Sequence, residues 1–137
     1  MSFFKIKLRK TDRFWTQFIR LRDNFTCARC HKVYSPEDCR NLGVSHFWGR
    51  SHESTRFDSE NCDLLCTWNC HGIWAEEDRD MYKAFKIAQL GQDGFDRLML
   101  RANLYKHRDD ALDLIIIKAL LNGLVSLLAL PHFWGGL

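Results

Sequence analysis

Cys27-Ala28-Arg29-Cys30 and Cys66-Thr67-Trp68-Asn69-Cys70 constrain this chain more than any other feature. Thiolates presented in pairs on short turns can close a tetrahedral site around zinc, and a structural zinc site is complete with four protein ligands. A chain clamped in this way must fold back until residues 27–30 meet residues 66–70. The second pair has three residues between its cysteines, within the two to four that such turns use. Cys27, Cys30, Cys66 and Cys70 are the expected ligands. Cys62 competes for a place, and Cys39 more weakly. Beside Leu64 and Leu65, Cys62 reads rather as a small buried hydrophobe.

All six cysteines lie between Cys27 and Cys70. An even count in a short chain could mean disulfides. However, the first ten residues carry Lys5, Lys7, Arg9 and Lys10 with no apolar core of a secretory signal behind them. The expectation is a cytoplasmic chain with reduced thiols, hence metal binding. At 137 residues the chain fits a single domain, 1–137, small enough that a metal staple matters. A formal charge of +3 and a pI near 8.6 suit nucleic acid without singling it out.

Periodicity predicts an α+β arrangement, with a core over about 25–90. An amphipathic helix covers 11–22, with Phe14, Trp15, Phe18, Ile19 and Leu21 apolar and Thr11 placed to cap it. Its Arg13, Arg20 and Arg22 are either a solvated face or phosphate contacts. A short strand ends near His46, and Asp63-Leu64-Leu65 suggests a second. Residues 49–61 between them are polar and read as an exposed loop. Helical spacing runs over 68–90, and Gly91 is expected to end that helix as a C-cap. Further helices are expected within 93–130. Trp48, Trp68 and Trp74 are expected in the core rather than as base-stacking platforms.

The stretch over 111–130 is strongly apolar, but Lys118 and Asn122-Gly123 interrupt it. A spanning helix needs about 20 mostly apolar residues. A buried helix or a homodimer interface is the preferred reading over a membrane segment.

Between and just after the cysteine pairs stand Ser45-His46, Asn61 and His71. Phosphodiester hydrolysis needs a base to activate water, a divalent cation to neutralise charge on the phosphate, and a scaffold to hold both. A strand, loop, strand, helix order would bring His46 and His71 face to face. An imidazole suits a general base, so His46 is the expected base. His71 would offer a nitrogen to Mg²⁺ or Mn²⁺. Asn61 would either bind that ion through its amide oxygen or pin the loop. Arg50 could fork onto the scissile phosphate. Arg56 and His52 share its loop as candidate nucleic-acid contacts.

Val44-Ser45-His46-Phe47-Trp48-Gly49-Arg50, Thr55-Arg56-Phe57-Asp58 and Glu60-Asn61-Cys62-Asp63 resemble the phage recombination nucleases of the NinG/Rap type, within the HNH superfamily. Ala88-Gln89-Leu90-Gly91 and Leu98-Met99-Leu100-Arg101-Ala102-Asn103 extend the resemblance, which covers roughly 25–121. It implies a ββα-metal core with structural zinc, and an endonuclease acting on branched or recombination-intermediate DNA in the cytoplasm of a bacterial host. Carried over by motif, His46 is the base, Asn61 the motif asparagine and His71 the last histidine. The chain departs from the superfamily pattern in three places. Ser45 stands where many members have a metal-binding Asp or His. Ala75 stands where many have a second helical histidine. The longer cysteine spacing shifts the helix register by one residue. Asn61, Asp63 and Glu76 are the candidates to complete the metal shell. Two rival readings are a non-catalytic zinc-knuckle module that binds DNA, and an interaction or membrane-associated factor built around the apolar tail.

Overall fold

Residues 42–46 and 62–66 are short apolar segments flanking a polar loop, and they pair. The computed structural model describes residues 6–128. The first strand, β1 (Leu42–His46), runs antiparallel to β2 (Cys62–Cys66) in a two-stranded sheet. Leu42 faces Cys66, Ser45 faces Asp63, and His46 faces Cys62. A lone hairpin is marginal in water, so this one depends on what covers it. All five residues of β2 are buried.

Helix α1 (Lys10–Arg22) supplies part of that cover, burying Trp15 and Ile19 against the hairpin. Its start is fixed by the Arg9 backbone N–H, which donates to the Asp12 carboxylate at 2.7 Å. Thr11 is not the cap: it lies inside the helix, buried, and its hydroxyl has no hydrogen-bond partner. Arg20 and Arg22 are struts rather than phosphate contacts. Arg20 donates to the Leu42 carbonyl at 2.9 Å, and Arg22 to the Ser59 and Cys62 carbonyls at 2.8 and 3.0 Å.

After β2 the chain winds as a π-helix over Thr67–Ala75. Such i→i+5 turns are rare, and they accommodate an extra residue within a helix. The longer second cysteine pair lies inside this turn. Gly72 gives the turn room, since a Cβ on it would approach the Thr67 carbonyl oxygen to 3.1 Å and force a small shift. Helix α2 (Arg79–Ala102) follows, with Asp78 accepting from the Met81 N–H at its start. Gly91 breaks α2 with φ 73° and ψ 163°, ending its first helical part where the sequence placed that end. That region is essentially restricted to glycine. The two helices expected on either side of it are thus present, joined across a kink. Its inner face buries Tyr82, Lys86, Phe95 and Leu98.

Helix α3 (Asp110–Leu128) packs on α1, with Ile117 buried and Lys118 over the Phe14 ring. Of the helical stretch expected to 130, residues 129 and 130 lie outside the described residues. The helix is long and apolar enough to cross a membrane, with a mean hydropathy of 2.0, and only 11% of that window is buried. Ile115, Ile116, Leu120 and Val125 are exposed.

Candidate functional site

Cys27 and Cys30 sit on a tight knuckle. The Cys27 N–H donates to the Lys32 carbonyl, the His31 N–H donates back to Cys27, and Thr26 bridges to Val33. His31 takes φ 60° to make the turn. Cys66 ends β2, and Cys70 lies on the π-helical turn. The four sulfurs lie within 4.8 Å of one another. Zinc–sulfur bonds of about 2.3 Å in a tetrahedron separate sulfurs by about 3.8 Å, and Cys30 and Cys66 stand 3.9 Å apart. All six cysteines are free thiols. The cluster can therefore hold a metal ion such as zinc.

The electrostatics of the cluster agree. Burial opposes ionisation of Cys27, but backbone N–H groups of Cys30, Cys66 and Arg29 outweigh it and bring the thiol down to about 7. Burial and the neighbouring thiols push Cys70 well up. One anion forms readily and then resists the next, which a central cation would relieve. Cys62 is outside the set. It is fully buried, accepts a hydrogen bond from the Trp15 indole at 3.3 Å, and is pushed up to about 12 by burial. Cys39 is also outside it.

A groove of about 370 Å³ opens beside the cluster, lined by Ser45, His46, Arg50, His71, Glu76 and Arg79 among others. β1 delivers Ser45 and His46, the following loop delivers Arg50, and the π-helical turn delivers His71. The hairpin thus brings together both histidines and Arg50, as their order along the chain suggested. His46 Nε2 lies 2.9 Å from the Arg56 carbonyl oxygen. A carbonyl only accepts, so Nε2 carries the proton and Nδ1 keeps a basic lone pair. Burial, with Arg50 beside the ring, pushes His46 down to about 4. His71 is also lowered, by burial first and then by Arg50, with Glu76 acting against them.

Arg50 is the exceptional cation of the groove. Its side chain is 29% exposed, and its nearest carboxylate is Asp12 at 3.8 Å. That carboxylate already receives two hydrogen bonds from Arg56, at 3.0 and 2.6 Å. Arg50 Nε is buried and has no hydrogen-bond partner.

The other loop residues are structural. Arg56 is 2% exposed; besides pairing with Asp12 it donates to the Arg50 carbonyl at 3.1 Å. No part of that guanidinium is presented to a nucleic acid, because pairing with Asp12 is what makes its burial affordable. His52 donates from Nδ1 to the Ala102 carbonyl at 2.9 Å, which ties the loop to α2. Arg101 grips Asp58 and Glu60 from the same helix. The loop over 49–61 is polar because it is pinned by ion pairs, rather than because it is free.

Asn61 is fully buried, outside the groove. Its Oδ1 accepts from the Trp48 N–H at 2.8 Å, and its Nδ2 donates to the Trp48 and Thr55 carbonyls. Of its two expected roles, the geometry provides loop pinning, since the amide oxygen is already committed. Asp63 is likewise closed to a metal ion. Lys86 lies 3.2 Å from it, both at 1% side-chain exposure, and Tyr82 and Gln89 donate to it at 2.9 and 3.0 Å. Tyr82 also reaches Ser45 at 3.1 Å, so this buried network sets the groove floor from behind.

Removing one partner of such a pair leaves an uncompensated buried charge. Lys86→Met should therefore lower unfolding stability by about 3–5 kcal/mol. Lys86→Met with Asp63→Leu should recover much of that loss. Urea denaturation of the three proteins checks this; equal midpoints for wild type and Lys86→Met would contradict a buried pair.

Of the tryptophans, Trp74 is buried and Trp48 half-buried, as expected of core residues, but Trp68 is 81% exposed. The sequence reading also passed over Arg79, which lines the groove. Its signal was its place as the one cation among Glu76, Glu77, Asp78 and Asp80. Comparison with family models, with characterised proteins and with solved structures gives no match to this chain.

Proposed function

We propose that the protein is a metal-dependent DNA endonuclease of the HNH type, with the cysteine cluster holding structural zinc. The observation that carries this reading is the shared groove of His46, His71 and Arg50 beside the cluster. His46 is the base: its Nε2–H is anchored on the Arg56 carbonyl, and Nδ1 is left to take a proton from water. Arg50 holds the scissile phosphate: its Nε makes no hydrogen bond, and it shares its only ion-pair partner among the described residues, Asp12 at 3.8 Å, with Arg56. His71 and Glu76 are the groove's donors for Mg²⁺ or Mn²⁺, a nitrogen and a carboxylate oxygen whose charge acts on that ring. No third metal-binding side chain joins them among the described residues. This suits an ion that shares its shell with substrate phosphate oxygens. When bound, such an ion neutralises charge developing on the phosphate and leaving oxygen. Asn61 acts by pinning the loop, and Ser45, held by Tyr82, forms the groove floor.

The preference for branched or recombination-intermediate DNA, and a phage origin, rest on the resemblance of the motifs alone. The test is incubation of the zinc-loaded protein with plasmid and with a synthetic four-way junction, with Mg²⁺, with Mn²⁺ and with no added ion. Cleavage is expected only with the ion present. Arg50→Ala should lower the cleavage rate more than DNA affinity, because the contact strengthens as charge builds in the transition state. A zinc-knuckle module that only binds DNA gives the opposite pattern, with reduced affinity and no cutting under any condition.

A further inference from the structure

Arg79 stands in the most acidic stretch of the chain and pairs with none of it. Glu76, Glu77, Asp78 and Asp80 surround it in sequence, yet among the described residues no carboxylate lies within ion-pair distance of its guanidinium. The side chain turns into the groove instead. Nη2 donates to the Phe47 carbonyl at 2.7 Å and Nη1 to the Ala75 carbonyl at 3.4 Å. The guanidinium carbon lies 4.5 Å from the centre of the Phe47 ring and 5.5 Å from that of Tyr82. These contacts fix the orientation of the group and leave its charge unneutralised. An arginine held in this way presents its remaining N–H groups as a preformed fork for an anion.

From this geometry we infer that Arg79 forms a second phosphate subsite, one that takes a non-scissile phosphodiester of the bound strand. The inference rests on the nucleic-acid reading of the groove. Arg50 and Arg79 differ in their relation to the histidines. Arg50 is among the main charges acting on both rings, whereas Arg79 is among the main ones for neither. Arg79 also rests against Phe47, one residue beyond the base. We therefore assign Arg50 to the reacting centre and Arg79 to a neighbouring place in the same groove. A contact so placed binds substrate and transition state alike, and it fixes which phosphate of the strand meets His46. The neighbouring carboxylates supply selectivity by repelling a phosphate that strays from this position.

The test compares the zinc-loaded wild type with Arg79→Gln, which keeps a donor for the Phe47 carbonyl and removes the charge. Arg79→Lys serves as a third protein, restoring charge without the fork. Binding of a fluorescein-labelled duplex and four-way junction is followed by anisotropy across a salt series, with Ca²⁺ in place of Mg²⁺. Arg79→Gln should bind about tenfold more weakly, and the slope of log affinity against log salt should fall by about 0.9, the value of one phosphate contact. Arg79→Lys should keep most of the slope. In cleavage with Mg²⁺, Arg79→Gln should raise KM about tenfold and lower kcat far less. Wild-type affinity and slope in Arg79→Gln would overturn the subsite. Weaker binding with an unchanged slope would also overturn it, since the residue would then act only by shaping the groove. If the slope falls while no protein cuts DNA under any ion, the subsite stands and the hydrolytic reading fails. If the wild type does not bind DNA, both fail.

Discussion

Stripping the metal from the purified protein with a strong chelator should unfold its core, and adding zinc back should refold it. The four cysteines join three parts of the chain, the knuckle at 27–33, the end of β2 and the π-helical turn, which otherwise meet through contacts such as Ala28 N–H to the Leu64 carbonyl and Arg29 over the Trp74 ring. The hairpin they border has only two strands. Zinc binding in small domains supplies about 10–16 kcal/mol of apparent folding free energy, while a whole domain is stable by only about 5–15 kcal/mol. Loss of the ion would also leave Cys27, with its thiol near 7, partly anionic among three other sulfurs at neutral pH. Circular dichroism should show the helical signal collapse on chelation. Cys27→Ser should behave like the stripped protein. Cys62→Ser should keep its metal, because that thiol meets Trp15 and lies outside the cluster. Metal analysis finding less than one equivalent, with thiol titration finding disulfides, would remove the basis of the whole scaffold.

His46→Ala should reduce DNA cleavage by about 10²–10⁴-fold with folding intact, the scale of a lost general base. His71→Ala should also reduce cleavage, and should weaken its dependence on added Mg²⁺ or Mn²⁺. The pH profile carries a further mark. An ordinary histidine loses its basic form below about pH 6.5, but burial and Arg50 push His46 down to about 4. Its folded-state value lies below the unfolded one, so the neutral ring persists as pH falls from 7 towards 5. With metal saturating, kcat/KM should therefore show no falling limb near pH 6.5. The same displacement sets the sign for stability: between about pH 6.5 and 4 the unfolded chain binds the proton more readily, so this group lowers stability as pH falls through that window. Wild-type cleavage by His46→Ala would place the base elsewhere.

The parts of the molecule written in local pattern were legible from the sequence. The paired cysteines, the apolar face of α1 and the two short strands each declare themselves over a few residues. What could not be read was decided by partners far away along the chain. Arg56 looked like a free loop cation because nothing near it in sequence reveals Asp12, 44 positions earlier. Asn61 offered an amide oxygen to any partner, and the Trp48 backbone took it. Gly91, by contrast, was legible: its positive φ separates two helical stretches, as its place in the pattern indicated. The π-helical winding of 67–75 has no pattern in composition, since it follows from fitting three residues between Cys66 and Cys70 while keeping Cys70 at the cluster.

That winding also places Cys70 and His71 side by side on one turn, the first facing the cluster and the second the groove. On the proposed function, a single peptide link would join a ligand of the cluster to a donor of the groove. If the cluster closes around an ion as proposed, a chain stripped of that ion should lose the groove together with the cluster.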